Sequence, residues 1–571
     1  MKTFMRSVSI PRLPLKPVAA AVLSLPLLAA PPALADQPGV PNAGAILQQL
    51  QPVLPAPPQP GRPALQVEPG HASGAPASAP FAVTSLRIVG NTAFSSATLH
   101  ALIAEAEGST ATLPQLEQLA ARITAYYQAH GFPLSRAVVP AQTIRDGEVV
   151  IQVVEARYGA VRLDNDSRVS DTLLAATLAG LQPGQAIAEG GLDRALLLLS
   201  DLPGVSVDAV IKPGADVGAA DLEVATRRSP ATVASLVLDN GGNRYIGRAR
   251  LGATAYLVNP LRHGDVFDAS VISTGRGMDY GRVGYEIVLG GAGTRAGLAY
   301  SRVHYRLQDE VDALDAYGRA GVASAWIRQP LVRRRQSNLY LQAGYDAKRL
   351  RDRIGATDTR TDRHLGNWLL GLNGDLRDGL FGGGINTWSL GWTHGRNRFD
   401  DDSAQAADAV SARTRGRFSK WNLSASRLQR LGGRAALYLN VGAQWADVNL
   451  DAAEKMTVGG PYTVRAYDVG AVSGDTGYAA SVELRHDVGA FAAGSLQASV
   501  FVDSARVRIN REAWSGSDNT ARLSGAGLGL AWNGAGGWRA SLAVARPIGA
   551  EPALIGRQSP TRAWGTLGKA F

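Results

Sequence analysis

Gly459-Gly460-Pro461-Tyr462-Thr463-Val464-Arg465-Ala466-Tyr467 lies within a polar segment, residues 447–477, between two runs that alternate strictly between apolar and polar residues. Before it, Ala435, Leu437, Leu439, Val441, Ala443 and Trp445 share one parity, while Arg434, Tyr438, Asn440 and Gln444 share the other. After it, Val482 and Leu484 alternate with Ser481, Glu483, Arg485 and Asp487. A period of two means β-strands. Charge on the second face means that this face is wet. The segment is therefore a long loop joining two strands that are apolar on one side only.

Working outward, the same pattern fills the chain from Ala231 to Phe571. Alternating segments of about ten residues recur between Gly, Asn and Asp clusters, and helical periodicity is lost. Eleven segments begin before the loop, from near Ala231 to near Arg434, and five after it, from near Tyr478 to near Arg562. Sixteen strands of this kind, with alternately short and long turns, predict a transmembrane β-barrel over residues 230–571. If the first strand rises from the N-terminal domains, the connection after the eleventh lies outside the cell. In Ser495–Val507, Leu496, Ala498, Val500 and Val502 face lipid, because an ionised carboxylate there is costly. Asp503 and Phe501 then face the lumen. The tract Gly290-Gly291-Ala292-Gly293 suits a tight hairpin, and no helix follows it as a phosphate cradle requires.

The N-terminal third is different. Lys2, Arg6, Arg12 and Lys16 precede the apolar stretch Val18–Ala30 and the small-x-small site Ala33-Leu34-Ala35, which predicts a signal peptide over residues 1–35. Asn42–Gln51 can form a short helix with Ile46, Leu47 and Leu50 on one stripe. Residues 52–80, rich in Pro, Ala and Gly, read as an extended linker that reaches roughly 90 Å at about 3.1 Å per residue. Residues 81–156 read as a β-α-α-β-β unit: a strand at Val83–Val89, a helix from Ser95 to about Glu107, a second helix capped by Thr112, and strands Ala137–Ile144 and Val149–Glu155. Leu116, Leu119, Ile123 and Tyr126 form the buried face of that second helix. Residues 157–229 repeat the order, with helices Ser170–Ala179 and Leu192–Leu202.

Composition narrows the function. The chain has 571 residues, a formal net charge of +10 and no cysteine. Its arginines are spread evenly, not gathered on an arm or helix, which argues against nucleic acid as partner. Without cysteine there is no disulfide framework and no thiolate metal site. The eight histidines show no H-E-x-x-H spacing, and no carboxylate pair stands out. No catalytic residue, metal or cofactor is expected.

Three motifs carry a family resemblance. Val464-Arg465-Ala466-Tyr467 resembles the Val-Arg-Gly-Tyr signature of the outer-membrane superfamily that secretes or inserts β-rich proteins, with alanine in place of glycine. Phe501-Val502-Asp503-Ser504-Ala505 resembles the family's Phe-x-Asp-x-Gly, again with alanine for glycine. Ala125-Tyr126, Gly131-Phe132 and Asp146-Gly147-Glu148-Val149 resemble the first periplasmic module of two-partner secretion transporters, the TpsB family of haemolysin secretion/activation proteins. The resemblance implies a monomeric 16-stranded transmembrane β-barrel with two N-terminal periplasmic α+β (POTRA) domains, 81–156 and 157–229, in the outer membrane of a Gram-negative bacterium. It implies that Arg465 pairs with lumenal Asp503 and tethers the loop, with Gly459, Gly460, Val464, Ala466, Tyr467 and Phe501 around the pair. It implies that the leading helix plugs the pore, and that the partners are outer-membrane lipid and a large secreted exoprotein carrying an N-terminal secretion domain. Two alternatives are an insertase of the same superfamily, which usually carries five such modules, and a passive porin, which needs none.

Overall fold

The computed structural model describes residues 40–50, 64–67, 78–550, 552–556 and 558–571. The expected signal peptide, Gln51 at the end of the expected leading helix, and the parts of the expected linker within 52–63 and 68–77 lie outside the described residues.

Sixteen antiparallel strands close into one barrel, running from Thr232–Asp239 round to Arg562–Ala570, which pairs back onto the first. The alternation dictates the wall. Leu236, Leu238, Val271, Leu298, Trp368, Val482, Val500, Val502, Leu528 and Leu542 all project outward and are exposed, as a lipid-facing surface must. Strand length departs from the expected ten residues. Thr359–Asp378 has twenty residues and Ser337–Ile354 eighteen. A tilted strand of twenty residues rises about 50 Å, twice the apolar band of about 25 Å. The cause is legible on one face: Leu339, Leu341, Ala343, Tyr345 and Ala347 give way to Arg349, Arg351 and Arg353. The ladder with the next strand continues unbroken through this change. The lipid band ends there and the strand does not.

The first module holds a three-stranded sheet, with Glu148–Val154 between Ser85–Val89 (parallel) and Arg136–Val138 (antiparallel). Helix Leu113–Ala129 packs on it. Thr112 and Gln115 form a capping box at its start, and Gly131 beyond its end takes φ 89°. Several boundaries differ from expectation. The first strand is split at Thr84 into Phe81–Val83 and Ser85–Val89, the helix after Ser95 stops at His100, and the strand at Ala137 is three residues long. Tyr127, not Tyr126, completes the buried stripe. Its hydroxyl donates to Glu155 Oε1 at 2.9 Å, a partner that Tyr126 does not face.

In the second module Arg157–Asn165 runs parallel to Ala219–Arg228, which pairs antiparallel with Val205–Pro213. The linker is not featureless: Ala64–Val67 adds a parallel strand to the outer side of Val205–Pro213. Helices Asp171–Leu178 and Glu189–Ser200 cover the sheet. This module is fastened to the barrel turns at one mouth. Arg333 forks onto Asp201, with both bonds at 2.7 Å, and Arg335 reaches Asp193 at 2.8 Å. At Gly291 a Cβ would sit 2.0 Å from the Ala176 carbonyl oxygen, so the helix backbone rests directly on that hairpin. The modules therefore mark one end of the barrel, and the connection after the eleventh strand, Ala435–Ala446, leaves from the other.

Candidate functional site in the barrel lumen

The long connection folds inward. Met456–Val458 and Val472–Gly474 pair as a small hairpin, and Gly459–Tyr467 forms its tip. Gly459 and Gly460 take φ 100° and 102°, a region L-residues avoid. A Cβ on Gly459 would stand 2.3 Å from the Asp468 carbonyl oxygen.

The tip arginine meets a patch built by strand register. Ser481 is opposite Asp503 and Glu483 is opposite Phe501, so four inward side chains of strands Thr476–Phe491 and Gly494–Arg508 form one surface. Arg465 forks onto Asp503 through Nε (2.9 Å) and Nη2 (2.8 Å). Its Nη1 reaches Glu483 at 2.9 Å and its Nη2 reaches Ser481 at 3.1 Å. The guanidinium carbon lies 3.2 Å from the Phe501 ring centroid. The Arg465 backbone N–H also donates to Asp503 Oδ2 at 3.1 Å. Asp503 is fully buried. A planar five-donor cation suits such a site, because a fork satisfies both carboxylate oxygens at once.

Val464, Ala466 and Tyr467 are fully buried beside Phe501 and Ala505 in one apolar cluster. The two alanines that replace family glycines are accommodated differently. A Cβ on Gly525 would be 2.4 Å from that of Ala466, so the facing strand supplies the glycine that the loop lacks. Ala505 packs within the apolar cluster, and the ion pair forms beside it.

Further anchors lie outside the sequence expectation. Trp564 Nε1 donates to the Arg465 carbonyl at 2.7 Å. Asp468 accepts from Arg248 and Arg562, each at 2.6 Å. At the loop's base, buried Glu454 meets Lys348 at 2.6 Å, Lys420 at 2.9 Å and Asn367 Nδ2 at 2.7 Å. Glu454 thus ties the loop to the seventh, eighth and tenth strands, whereas Arg465 ties it to the twelfth and thirteenth. Their signal was unspecific: Glu454 and Asp468 are single acids in a loop already read as polar, and nothing near either marks its distant partners.

Helix Ala43–Gln49 lies between this loop and the wall, capped by Asn42, whose Oδ1 accepts from Ala45 N–H at 3.0 Å. Ile46 and Leu50 are buried among Tyr245, Met278, Val303, Tyr305, Leu350, Leu365 and Leu450, and Leu47 packs at the edge of the same cluster. A Cβ on Gly44 would come within 2.5 Å of Ala453 N, so that glycine lets helix and loop backbones touch. The Ala43 N–H donates to Asp352 Oδ1 at 2.8 Å. Arg363 then bridges Asp352 (3.0 Å) and the loop's Asp451 (2.9 Å). One buried arginine therefore joins the carboxylate under the helix to the loop.

The chain is similar in sequence and in fold to known proteins. Residues 218–532 match the family described as haemolysin secretion/activation protein ShlB/FhaC/HecB, and residues 81–156 match the POTRA domain of ShlB type. The heme/hemopexin transporter protein HuxB of Haemophilus influenzae (strain 86-028NP) is 25% identical, over 77% of this chain and 79% of its own length. The outer membrane transporter CdiB of Escherichia coli is 24% identical, over 70% of this chain and 67% of its own. The solved structure of CdiB from Escherichia coli superposes with a TM-score of 0.70 at 20% identity, covering 88% of this chain and 92% of that one.

Proposed function

The chain belongs to the haemolysin secretion/activation protein family, and from that premise we propose how its parts divide the work of an outer-membrane transporter that secretes a partner protein. Residues 81–229 stand in the periplasm. The first module captures an unfolded N-terminal segment of the exoprotein by adding its strand to a sheet edge, and the barrel passes the chain outward. Ser85–Val89 and Arg136–Val138 are the two edges of that sheet.

The observation that carries this reading is the occupied lumen. A short helix and a long loop fill it, held mostly by side-chain contacts and not by strand pairing, so both can leave without unzipping the wall. Arg465 and Asp503 tether the loop, and Ile46, Leu47 and Leu50 seat the plug. An insertase is disfavoured by the family match and by two modules where five are usual. A passive porin has no use for the modules.

The test is binding and export together. Deleting residues 81–156 should abolish capture of the co-expressed exoprotein's N-terminal domain by the detergent-solubilised transporter, and should abolish its release into the medium. Undiminished capture after that deletion would move recognition to the second module or the barrel.

A further inference from the structure

On the fifth to tenth strands, the outward face of the barrel changes chemistry at the end away from the modules. From Leu339 to Arg349 a strand tilted by about 40° climbs about 26 Å, the height of an apolar band of about 25 Å. At that level register sets Ala323, Ala347, Gly366, Arg396 and Arg417 side by side, and the next outward position holds Arg349, His364 and Arg398. The small residues leave an open groove of about 640 Å³. Tyr345 and Trp368, register partners with ring centroids 4.8 Å apart, bound it on the lipid side. Two tyrosine hydroxyls lean from that side toward the basic row: a Cβ on Gly366 would lie 2.6 Å from Tyr345 Oη, and one on Gly321 3.1 Å from Tyr300 Oη. The acids nearby are committed elsewhere. Asp362 takes Arg353 at 2.5 Å and Asp400 takes His364 at 2.6 Å. Arg349, Arg396, Arg398 and Arg417 are exposed and make no ion pair among the described residues.

We propose that this groove binds lipid A, the bisphosphorylated glycolipid anchor of lipopolysaccharide, with its phosphates on the four arginines and its acyl chains against the wall below. The inference rests on the placement above: with the modules in the periplasm, the arginine end of the wall stands in the outer leaflet, whose phosphate is carried on that lipid. Four guanidiniums without carboxylate partners complement two phosphate groups, which a planar fork grips through paired hydrogen bonds. Rings with an apolar body and a polar tip suit the level where sugar gives way to acyl chain. Below them Leu341 and Leu370 continue the apolar surface toward the modules. Lys348 and Lys420, which hold the loop's Glu454 from inside, belong to the same strands, so lipid and loop brace one stretch of wall from its two sides.

The probe is fluorescent lipid A, added to the full-length transporter in neutral detergent. Arg349→Gln, Arg396→Gln, Arg398→Gln and Arg417→Gln together should weaken its binding at least tenfold. Arg506→Gln with Arg522→Gln, exposed register partners on the outward face of the thirteenth and fourteenth strands, should leave binding within twofold of the parent. Removing both phosphates from the lipid should cost the parent at least tenfold and the quadruple variant nothing further. Normal heat-modifiable mobility shows that the quadruple variant is folded; if it is not, Arg396→Gln with Arg398→Gln carries the same test at a threefold loss. Undiminished binding by the folded variant, or an equal loss in the Arg506, Arg522 control, would overturn the site. Displacement of the probe by phosphatidylglycerol or inorganic phosphate as readily as by unlabelled lipid A would overturn the ligand. Export of the co-expressed exoprotein is read in parallel: a parent that binds lipid A but exports nothing upholds this site and removes only the secretion reading.

Discussion

Arg465→Ala is the perturbation whose outcome the site geometry determines most sharply. It removes the fork to Asp503, the bond to Glu483 and the bond to Ser481. Asp503, fully buried, keeps the Ser481 hydroxyl at 2.8 Å and the loop N–H at 3.1 Å. Breaking a buried pair by deleting one partner costs about 3–5 kcal/mol, because the remaining charge stays desolvated. At about 1.4 kcal/mol per factor of ten, the docked-to-released ratio of the tip should fall roughly 100- to 4,000-fold. The wall should be untouched, since no ladder bond involves this side chain. Val464 is fully buried when the tip is docked, so Val464→Cys reports release through reaction with a membrane-impermeant maleimide. Labelling should accelerate about 100-fold or more in the Arg465→Ala background, export should drop, and heat-modifiable gel mobility should stay normal. Adding Asp503→Asn should recover part of the protection by removing the stranded charge. The swap Arg465→Asp with Asp503→Arg should recover export only in part, because the bond from the loop N–H to Asp503 is lost. Unchanged labelling together with normal export in Arg465→Ala would refute the tether.

Gly525→Ala should loosen the same tip, because its Cβ would fall 2.4 Å from that of Ala466. Ala466→Gly should then restore protection in the labelling assay, whereas damage to the strand itself would persist. Removing residues 36–80 should raise single-channel conductance in planar bilayers, and so should removing 42–51 alone or making Ile46→Asp. If the 42–51 deletion conducts like the parent, the helix is not a plug. In the first module burial favours a protonated Glu155, but hydrogen bonds from Thr92, Ala93 and Tyr127 outweigh it and hold its pKa below the ordinary 4.5. Its stabilising contribution is therefore complete above about pH 4.5 and is lost as pH falls through the lower folded value. Amide exchange at Thr92 and Ala93, corrected for intrinsic rates, should quicken only in that acid window. In Glu155→Gln it should be fast already at neutral pH.

What could be read in the chain was whatever repeats. Period two along sixteen segments locates every barrel strand, and it turns Asp503 inward. Single contacts between distant residues carry no such signal. Ala43 and Asp352 are separated by 309 positions, and nothing local to either marks the other. Glu454 is one acid in a polar loop until Lys348 and Lys420 close on it. Phase errors of one residue are equally invisible: Tyr126 and Tyr127 fit a helical stripe almost equally well, and only the position of Glu155 separates them. The linker strand failed to register for a different reason. Four residues between prolines are too few to display a period, and their pairing is supplied wholly by the sheet they join.

First and last strands share five residue pairs, against eighteen between Ser337–Ile354 and Thr359–Asp378, so the join where the barrel closes is held by a short ladder. Asp468 lies across its outer end. It holds Arg562 of the last strand and Arg248 of the turn linking the first two strands, both at 2.6 Å. Trp564, also on the last strand, holds the Arg465 carbonyl. The loop is thus a buckle on a hoop as well as the proposed stopper in a pipe. A polypeptide that pushes the loop aside while passing through would unfasten the hoop at its weakest point during the moments of greatest outward load.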